Sequence, residues 1–430
     1  MVKKFIASLL CVSAMLSVTA CSINIGGTEL EFGSKQSDSS EETTTAKLTK
    51  PELVTEPQTE PIVLEPLDYY CIADDVKITS QMHDHGTCWA FAAASAMETA
   101  AAVRNGKTIS IDPHELIDAV FQTDKKDGYF VDEDIDPLDA GGNSEMIISA
   151  VSNGFGSYVL EDAEYIQSDS LSDIRDAVRL YGGLTACVPV TDGCEGEFDG
   201  KLTYNEPDAY DYCHLVTVIG FDDNFPKENF TIPAAENGAW IVRNSSVADE
   251  RYYISYETPL ESVIGLSLTE GYSQVLGYDA GNIGSAFVYL QTGDATTAAN
   301  VFHQAGTLAA VGTYSVTPDQ TVKIEVRTDD LKNVLYAQEA HFDNAGYHIV
   351  ELAKPLEVED FAISISYPDG VPVECETTTV GESKYKVFSK LGVSFLKCGR
   401  EWVDMCDEEA FKQTGLGFTP NNCCIKALYK

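Results

Sequence analysis

Three side chains of the sequence have the chemistry for acyl transfer by a thiol. Cys88 opens an alanine-rich stretch, His214 directly precedes one apolar run, and Asn244 ends another. A thiol nucleophile needs a base within hydrogen-bond reach and a group that orients this base. The sequence therefore predicts Cys88 as the nucleophile, His214 as the base and Asn244 as the acceptor that fixes the imidazole tautomer.

Each of the three residues also has a purely structural explanation. A cysteine before an apolar helix is commonly a small buried hydrophobe. His214 could be a hydrogen-bonded core histidine, and Asn244 could be a turn residue that ends a strand. Their joint placement along the chain favours the chemical interpretation.

The elements around these residues change type along the chain. Residues Cys88 to Arg104 read as a helix, and a cysteine in the first turn faces unpaired N–H groups that favour its thiolate. The other predicted helices are Asp112–Phe121, Asn143–Ser152 and Leu171–Tyr181, and the predicted strands that follow are Leu184–Val190, Leu215–Gly220, Ala239–Val242 and Tyr252–Tyr256. Helices first and strands second predict an α+β domain with two segregated lobes.

From Tyr272 onward the pattern is that of short strands. Apolar and polar residues alternate over Val322–Val326 and Phe361–Tyr367, which is typical of half-buried strands. The other predicted strands are Ala286–Leu290, Tyr347–Leu352 and Cys424–Tyr429. An all-β sandwich is therefore predicted after the α+β domain.

The run Gly86-Thr87-Cys88-Trp89-Ala90-Phe91, then His214 before its strand, then Trp240 to Ser245, resembles the papain family of cysteine peptidases. This resemblance implies a two-lobed domain, with a helical lobe and a β-barrel-like lobe. It implies a thiolate–imidazolium pair oriented by Asn244, and an oxyanion hole made by the Cys88 backbone N–H and a glutamine side chain, here Gln81. It also implies that Gly141 and Gly142 pair with the substrate backbone as an added strand.

The sequence departs from the family pattern at three places. The family's glutamine lies six residues before the nucleophile, where this chain has Met82, and Gln81 lies one residue earlier. His85 stands where the family has a half-cystine, so that disulfide is missing. Ser246 replaces the tryptophan that shields the His–Asn hydrogen bond, which predicts a more exposed Asn244.

The second half resembles the lectin-like β-domain that follows the peptidase in some bacterial surface proteins. The resemblance rests on Asn300-Val301-Phe302, on Gly346 to Leu352, on Phe361-Ala362-Ile363 and on Cys424 to Ala427. It implies a glycan as a partner. The aromatic residues that could line a glycan site, but for which core packing is favoured, are Tyr336, Tyr347, Phe395 and Trp402.

The N-terminus reads as an export signal. Lys3-Lys4 precede a short apolar run that ends in Val18-Thr19-Ala20-Cys21, which is too short to span a membrane and resembles a bacterial lipoprotein box. Cys21 is then the lipidated residue, although an ordinary signal peptide with a chance cysteine stays open. The chain is predicted to lie on the extracellular side of the bacterial membrane, held by its lipid.

Composition excludes several classes of partner and site. The formal net charge of −40 argues against binding nucleic acid. The twelve cysteines include no Cys-x-x-Cys pair, so no metal site is predicted, and thiol-based acyl transfer needs no cofactor.

The predicted organisation has four parts: a signal peptide at residues 1–20, an acidic, proline-containing disordered tether at 21–67, a papain-like peptidase domain at 68–272 and a lectin-like domain at 273–430. The leading functional hypothesis is a cysteine endopeptidase that hydrolyses a peptide or protein substrate through a thioester. The alternative is an impaired scaffold that acts as a cell-surface binding or adhesion protein through its lectin-like domain. A third hypothesis is transpeptidation or amide hydrolysis in the cell wall by the same triad.

Overall fold

The helices of the structure, a computed structural model, lie mainly in the first half of the chain. The structure describes residues 51, 53–55, 64–76, 85–121, 127–208, 212–246, 251–280, 289–290, 296–374, 380–412 and 422–430. The helices of these residues are α1 (Cys88–Asn105), α2 (Pro113–Val120), α3 (Ser144–Val151), α4 (Leu171–Tyr181) and α5 (Glu408–Lys412), with short 3₁₀ turns at Ile72–Asp74 and Lys227–Asn229.

The first four helices confirm the predicted ones to within one residue at each end. Their starts follow from side-chain capping of free N–H groups. Asp112, Asn143 and Ser170 each accept a hydrogen bond from an N–H in the first turn of α2, α3 and α4. Helix α1 ends at Asn105 and is capped by Gly106, whose left-handed backbone, with φ of 61°, suits a residue without Cβ.

The strands in the first half are β1 (Leu53–Thr55), β2 (Tyr69–Cys71), β3 (Gly128–Phe130), β4 (Tyr158–Tyr165), β5 (Leu184–Pro189), β6 (Glu195–Phe198), β7 (Lys201–Tyr204), β8 (Tyr212–Asp222), β9 (Ala239–Arg243), β10 (Arg251–Ser255) and β11 (Glu261–Glu270). Strands β4, β11, β5, β8, β9 and β10 pair in that order, all antiparallel. Helix α1 packs on this sheet, where Thr217 of β8 donates to the carbonyl of Ala92 over 3.1 Å.

The strands in the second half are β12 (Gln274–Leu276), β13 (Tyr289–Leu290), β14 (Thr297–Ser315), β15 (Gln320–Thr328), β16 (Val334–Phe342), β17 (Ala345–Ser366), β18 (Val371–Pro372), β19 (Lys384–Lys386), β20 (Ser394–Cys398), β21 (Glu401–Asp404) and β22 (Ile425–Tyr429). The predicted strands at Tyr347–Leu352 and Phe361–Tyr367 lie largely in one long strand, β17. Of the predicted strand Ala286–Leu290, residues 286–288 lie outside the described residues.

The two halves share a sheet and a core. Residues Ala345 to His348 of β17 pair antiparallel with Asp162 to Tyr165 of β4, and the main apolar cluster around Trp89 and Ile147 includes Tyr314 and Tyr347 of the second half. Residues from Pro51 onward accordingly form one compact unit. The boundary between residues 272 and 273 stays a prediction.

Part of the predicted tether is ordered. Strand β1 pairs in parallel with Ala337 to Glu339 of β16, and Arg175 of α4 donates to the carbonyl of Leu67 over 2.6 Å. The prediction that all of residues 21–67 are disordered is therefore wrong at residues 53–55 and at Leu67. In the part of the chain that the structure describes, no helix is long and apolar enough to cross a membrane.

Candidate active site

Cys88 is the first residue of α1, and it is half-buried. Its thiol lies close to the backbone N–H groups of Leu215, of Trp89 and of Cys88 itself, which lower the pKa of the thiol. Leu215 directly follows His214 on β8. The sulfur therefore lies beside the backbone of the strand that carries His214, and the structure brings the helical lobe and the sheet together at this point.

His214 and Asn244 are hydrogen-bonded to each other. His214 Nε2 lies 2.8 Å from Asn244 Oδ1, and the two residues are held by neighbouring strands, because β8 pairs with β9 and Asn244 directly follows β9. The sequence prediction that these side chains meet agrees with this geometry.

The hydrogen bond also fixes where the imidazole proton lies. Asn244 Oδ1 accepts the backbone N–H of Ser246 over 2.9 Å, so this atom is the oxygen of the amide and must be an acceptor. The proton shared with it consequently belongs to His214 Nε2. The other ring nitrogen, Nδ1, is left as the one that can accept a proton in the neutral imidazole.

Both reactive side chains favour their neutral forms in this structure. Burial raises the pKa of the Cys88 thiol and outweighs the three neighbouring backbone N–H groups, which lower it. Burial likewise lowers the pKa of His214, against its hydrogen bond to Asn244. The resemblance implies a thiolate–imidazolium pair, whereas burial shifts the pKa values of both groups toward their uncharged forms.

Ser246 lies beside the His–Asn pair, at the position where the papain family has a tryptophan. Its side chain is exposed, and its Oγ lies 3.4 Å from His214 Nε2. A hydroxyl covers far less of the hydrogen bond than an indole ring does. The hydrogen bond nonetheless forms, since the backbone N–H of Ser246 orients the amide.

Gly141 and Gly142 lie next to the nucleophile helix. Gly141 has φ of 71°, and a Cβ on Gly142 would lie 2.5 Å from the ring of Trp89. The Trp89 indole N–H donates to the carbonyl of Gly86 over 3.1 Å. Gly142 is therefore required for close packing against α1, whose first residue is Cys88.

His85 makes a contact where the disulfide of the family is missing. Its Nδ1 lies 2.8 Å from Asp139 Oδ1, and the backbone N–H of Gly86 donates to the carbonyl of Leu138 over 3.0 Å. These contacts connect the loop before Cys88 to the segment before Gly141. Nothing in the sequence pairs His85 with Asp139, so sequence reasoning missed this connection.

A second thiol, Cys187, lies near Cys88. It pairs with Leu215 across β5 and β8. Burial, together with the charges of Glu145 and Cys88, raises the pKa of Cys187 to about 12. Cys187 is thus unreactive at neutral pH, and no pattern in the sequence indicates its position near Cys88.

Two predicted site residues lie outside the described residues. These are Gln81, the predicted oxyanion donor, and Cys21, the predicted lipidation site. Among the described residues, the backbone N–H of Cys88 at the start of α1 remains as a predicted oxyanion donor.

The aromatic residues considered for a glycan site belong to the core. Tyr347 is fully buried and Tyr336 nearly so, while Phe395 and Trp402 pack against a buried cluster that includes Val301. These four residues do not form an exposed stacking surface, as the preference for core packing predicted.

Comparisons with known proteins agree with this architecture. Residues 277–429 match the family model described as a lectin-like domain. A structure of the clostridial cysteine protease Cwp84 after propeptide cleavage is 18% identical, with a TM-score of 0.68, and covers 84% of this chain and 98% of its own. A structure of the cysteine protease and lectin-like domains of Cwp84, a surface layer associated protein of Clostridium difficile, is also 18% identical, with a TM-score of 0.67, and covers 87% and 92%.

The predicted fold class is confirmed. The chain has a papain-like α+β part followed by a lectin-like β part. No curated protein matches the chain.

Proposed function

We propose that the protein is a cysteine endopeptidase that hydrolyses peptide bonds through Cys88, His214 and Asn244. The observation that carries this proposal is the His214–Asn244 hydrogen bond of 2.8 Å beside a helix N-terminus whose Cys88 sulfur contacts the backbone of Leu215. The cysteine protease fold of the Cwp84 structures supports the same reaction.

The first half of the reaction forms a thioester. The Cys88 sulfur attacks the peptide carbonyl carbon while His214 Nδ1 takes the thiol proton, so that the uncharged pair becomes charged only as the reaction starts. The oxyanion accepts a hydrogen bond from the Cys88 backbone N–H, and the positive end of the α1 dipole stabilises its negative charge further. The imidazolium then donates its proton to the leaving amine as the C–N bond breaks.

The second half of the reaction regenerates the enzyme. Water attacks the thioester carbonyl carbon and loses a proton to His214, and the C–S bond breaks as the sulfur recovers a proton from the imidazolium. Asn244 holds the ring in one orientation through both halves, since its Oδ1 is itself held by the Ser246 N–H.

Cys88→Ala tests the proposal. Wild-type protein should hydrolyse fluorogenic peptides under reducing conditions and be labelled at Cys88 by a thiol-directed epoxide, identified by peptide mass spectrometry. Both should be lost in Cys88→Ala and kept in Cys187→Ala, which removes a half-buried thiol nearby. Failure of the wild-type protein to be labelled or to cleave any peptide would overturn the proposal.

The proposed location is the outer face of a bacterial membrane, with Cys21 carrying the lipid. The charged start and the Ala20-Cys21 junction support this, and Cwp84, described as surface layer associated, offers a parallel. Cys21→Ala should move the protein from the membrane fraction to the medium. Its retention in the membrane fraction would contradict the anchor.

A binding or adhesion protein on an impaired scaffold is the second candidate. This candidate is favoured by the pKa shifts that keep Cys88 and His214 neutral and by the exposed Ser246. Its expected signature is an inert wild-type cleft together with retention on immobilised cell-wall or host glycans. Peptide hydrolysis that depends on Cys88 would exclude it.

A further inference from the structure

A loop of the lectin-like half, Val380–Ser383, lies against Ala140 and Gly141 of the first half. The backbone N–H of Glu382 donates to the carbonyl of Ala140 over 2.9 Å. Ser383 Oγ lies 3.5 Å from the carbonyl of Gly141. The second half of the chain thus contacts the segment that the substrate backbone is proposed to pair with.

The contact is too close for a side chain at Gly381. A Cβ built there would lie 2.2 Å from the carbonyl oxygen of Ala140, and the residue has φ of 57°. Both the backbone conformation and the close approach require glycine. The loop can therefore keep this position only with Gly381 as it stands.

The loop itself is tightly held. Val380 and Ser383 exchange backbone hydrogen bonds of 3.3 and 2.9 Å, and the following strand β19 pairs antiparallel with β3 of the first half. The rings of Tyr385 and Tyr129 meet edge to face with centroids 4.8 Å apart, and the Tyr385 hydroxyl donates to buried Glu374. These contacts make the loop a fixed support.

We infer that Val380–Ser383 is a positioning element of the cleft, contributed by the lectin-like half. It holds the backbone of Ala140 to Gly142 in the conformation that is proposed to pair with the substrate backbone. This inference rests on the proposed peptidase function. Strand addition depends on N–H and C=O groups held at fixed spacing, and the Ala140 carbonyl is held by Glu382.

Gly381→Ala should disturb the support, and Gly399→Ala is its matched control. Gly399 is also exposed and in the same half, with φ of 60°, but a Cβ there meets nothing within 4 Å. Both variants carry the same backbone strain. Only Gly381→Ala pushes against Ala140.

The expected result is a KM at least tenfold higher in Gly381→Ala for fluorogenic peptides, with kcat changed less than threefold. Iodoacetamide should alkylate Cys88 at the wild-type rate, since this small reagent does not pair with the glycines. Gly399→Ala should match wild type in each measurement. An unchanged KM in Gly381→Ala, or an equal rise in both variants, would overturn the inference.

Amide hydrogen exchange separates this inference from the peptidase proposal. Exchange at Ala140 to Asn143 should be faster in Gly381→Ala than in Gly399→Ala, whether or not any peptide is cleaved. Equal exchange would refute the support even in an active enzyme. If the wild-type protein cleaved no peptide but exchange was still faster in Gly381→Ala than in Gly399→Ala, the peptidase proposal would fail and the support would stand.

Discussion

Two regions of the molecule keep ionisable groups away from water, and they resolve the cost of burial in opposite ways. At the candidate active site, burial keeps Cys88 and His214 neutral. In the lectin-like half, Lys426 and Asp279 are fully buried, with Lys426 Nζ 2.7 Å from Asp279 Oδ2. An unpaired charge in the interior costs free energy. The active-site groups therefore stay uncharged, whereas Lys426 and Asp279 form an ion pair.

The comparison shows that burial of a titratable group does not by itself mark a reactive site. Lys426 also donates to Asn153 Oδ1 over 3.0 Å, so its contacts join the two halves of the chain. Cys88 and His214 instead lie at element ends and are only half-buried. Here the position of a residue in the fold, rather than a shifted pKa, distinguishes a candidate catalytic group from a structural one.

The largest expected effect is on folding, from Asp279→Ala. It leaves Lys426 charged and buried without its counter-ion, which costs about 3–5 kcal/mol of the free energy of unfolding. Denaturant unfolding measures this loss. The control is Asp360→Ala, which breaks the exposed pair with His303 and should cost under about 1 kcal/mol. Similar costs for the two variants would remove the distinction between the regions.

Asn244→Ala should lower activity with little effect on folding. It removes the hydrogen bond to the imidazole, and a bond to a charged group contributes roughly 1.5–3 kcal/mol, equivalent to about 10- to 100-fold in kcat/KM. Asn344→Ala is the control, since Asn344 donates to Glu164 over 2.9 Å away from the site. A loss of kcat/KM in Asn344→Ala as large as in Asn244→Ala would show a general effect of packing.

The smallest effect concerns the ionisation of the thiol. Because burial raises the pKa of Cys88, its thiolate fraction grows only as pH rises past the usual thiol range near about 8.5. Alkylation of Cys88 by iodoacetamide, followed by mass spectrometry from pH 4 to 10, should keep rising above that value. Cys187, with a pKa of about 12, should stay unlabelled. A plateau already reached in acid would instead show the ion pair that the papain resemblance implies.

Local signals predicted much of the first half. The capping residues of α2, α3 and α4 mark their starts, and continuous apolar runs mark β8 and β9. The approach of His214 to Asn244 was predictable because their runs carry the family pattern. The sequence did not predict strands β4 and β11. Strand β4, at Tyr158–Tyr165, mixes acidic and apolar residues without clear alternation.

The contacts that support the site could not be read from the sequence. His85 and Asp139, and Gly381 and Ala140, are pairs brought together only by the folded chain. Gly381 sits in a short turn, and a turn glycine ordinarily signals only backbone freedom. The desolvation that keeps Cys88 neutral depends on the packing of β8 over the start of α1, which no local pattern encodes.

The pairing of β1 with β16 has a mechanical consequence for a chain held by its N-terminus. Tension applied upstream of Leu53 would be borne first by the parallel ladder to Ala337–Glu339. It would next load the carbonyl oxygens of Glu65 and Leu67, which accept hydrogen bonds from Arg179 and Arg175 of α4 over 2.8 and 2.6 Å. Both attachments precede α1 in sequence, so a pull on the chain would strain these surface contacts before it reached Cys88.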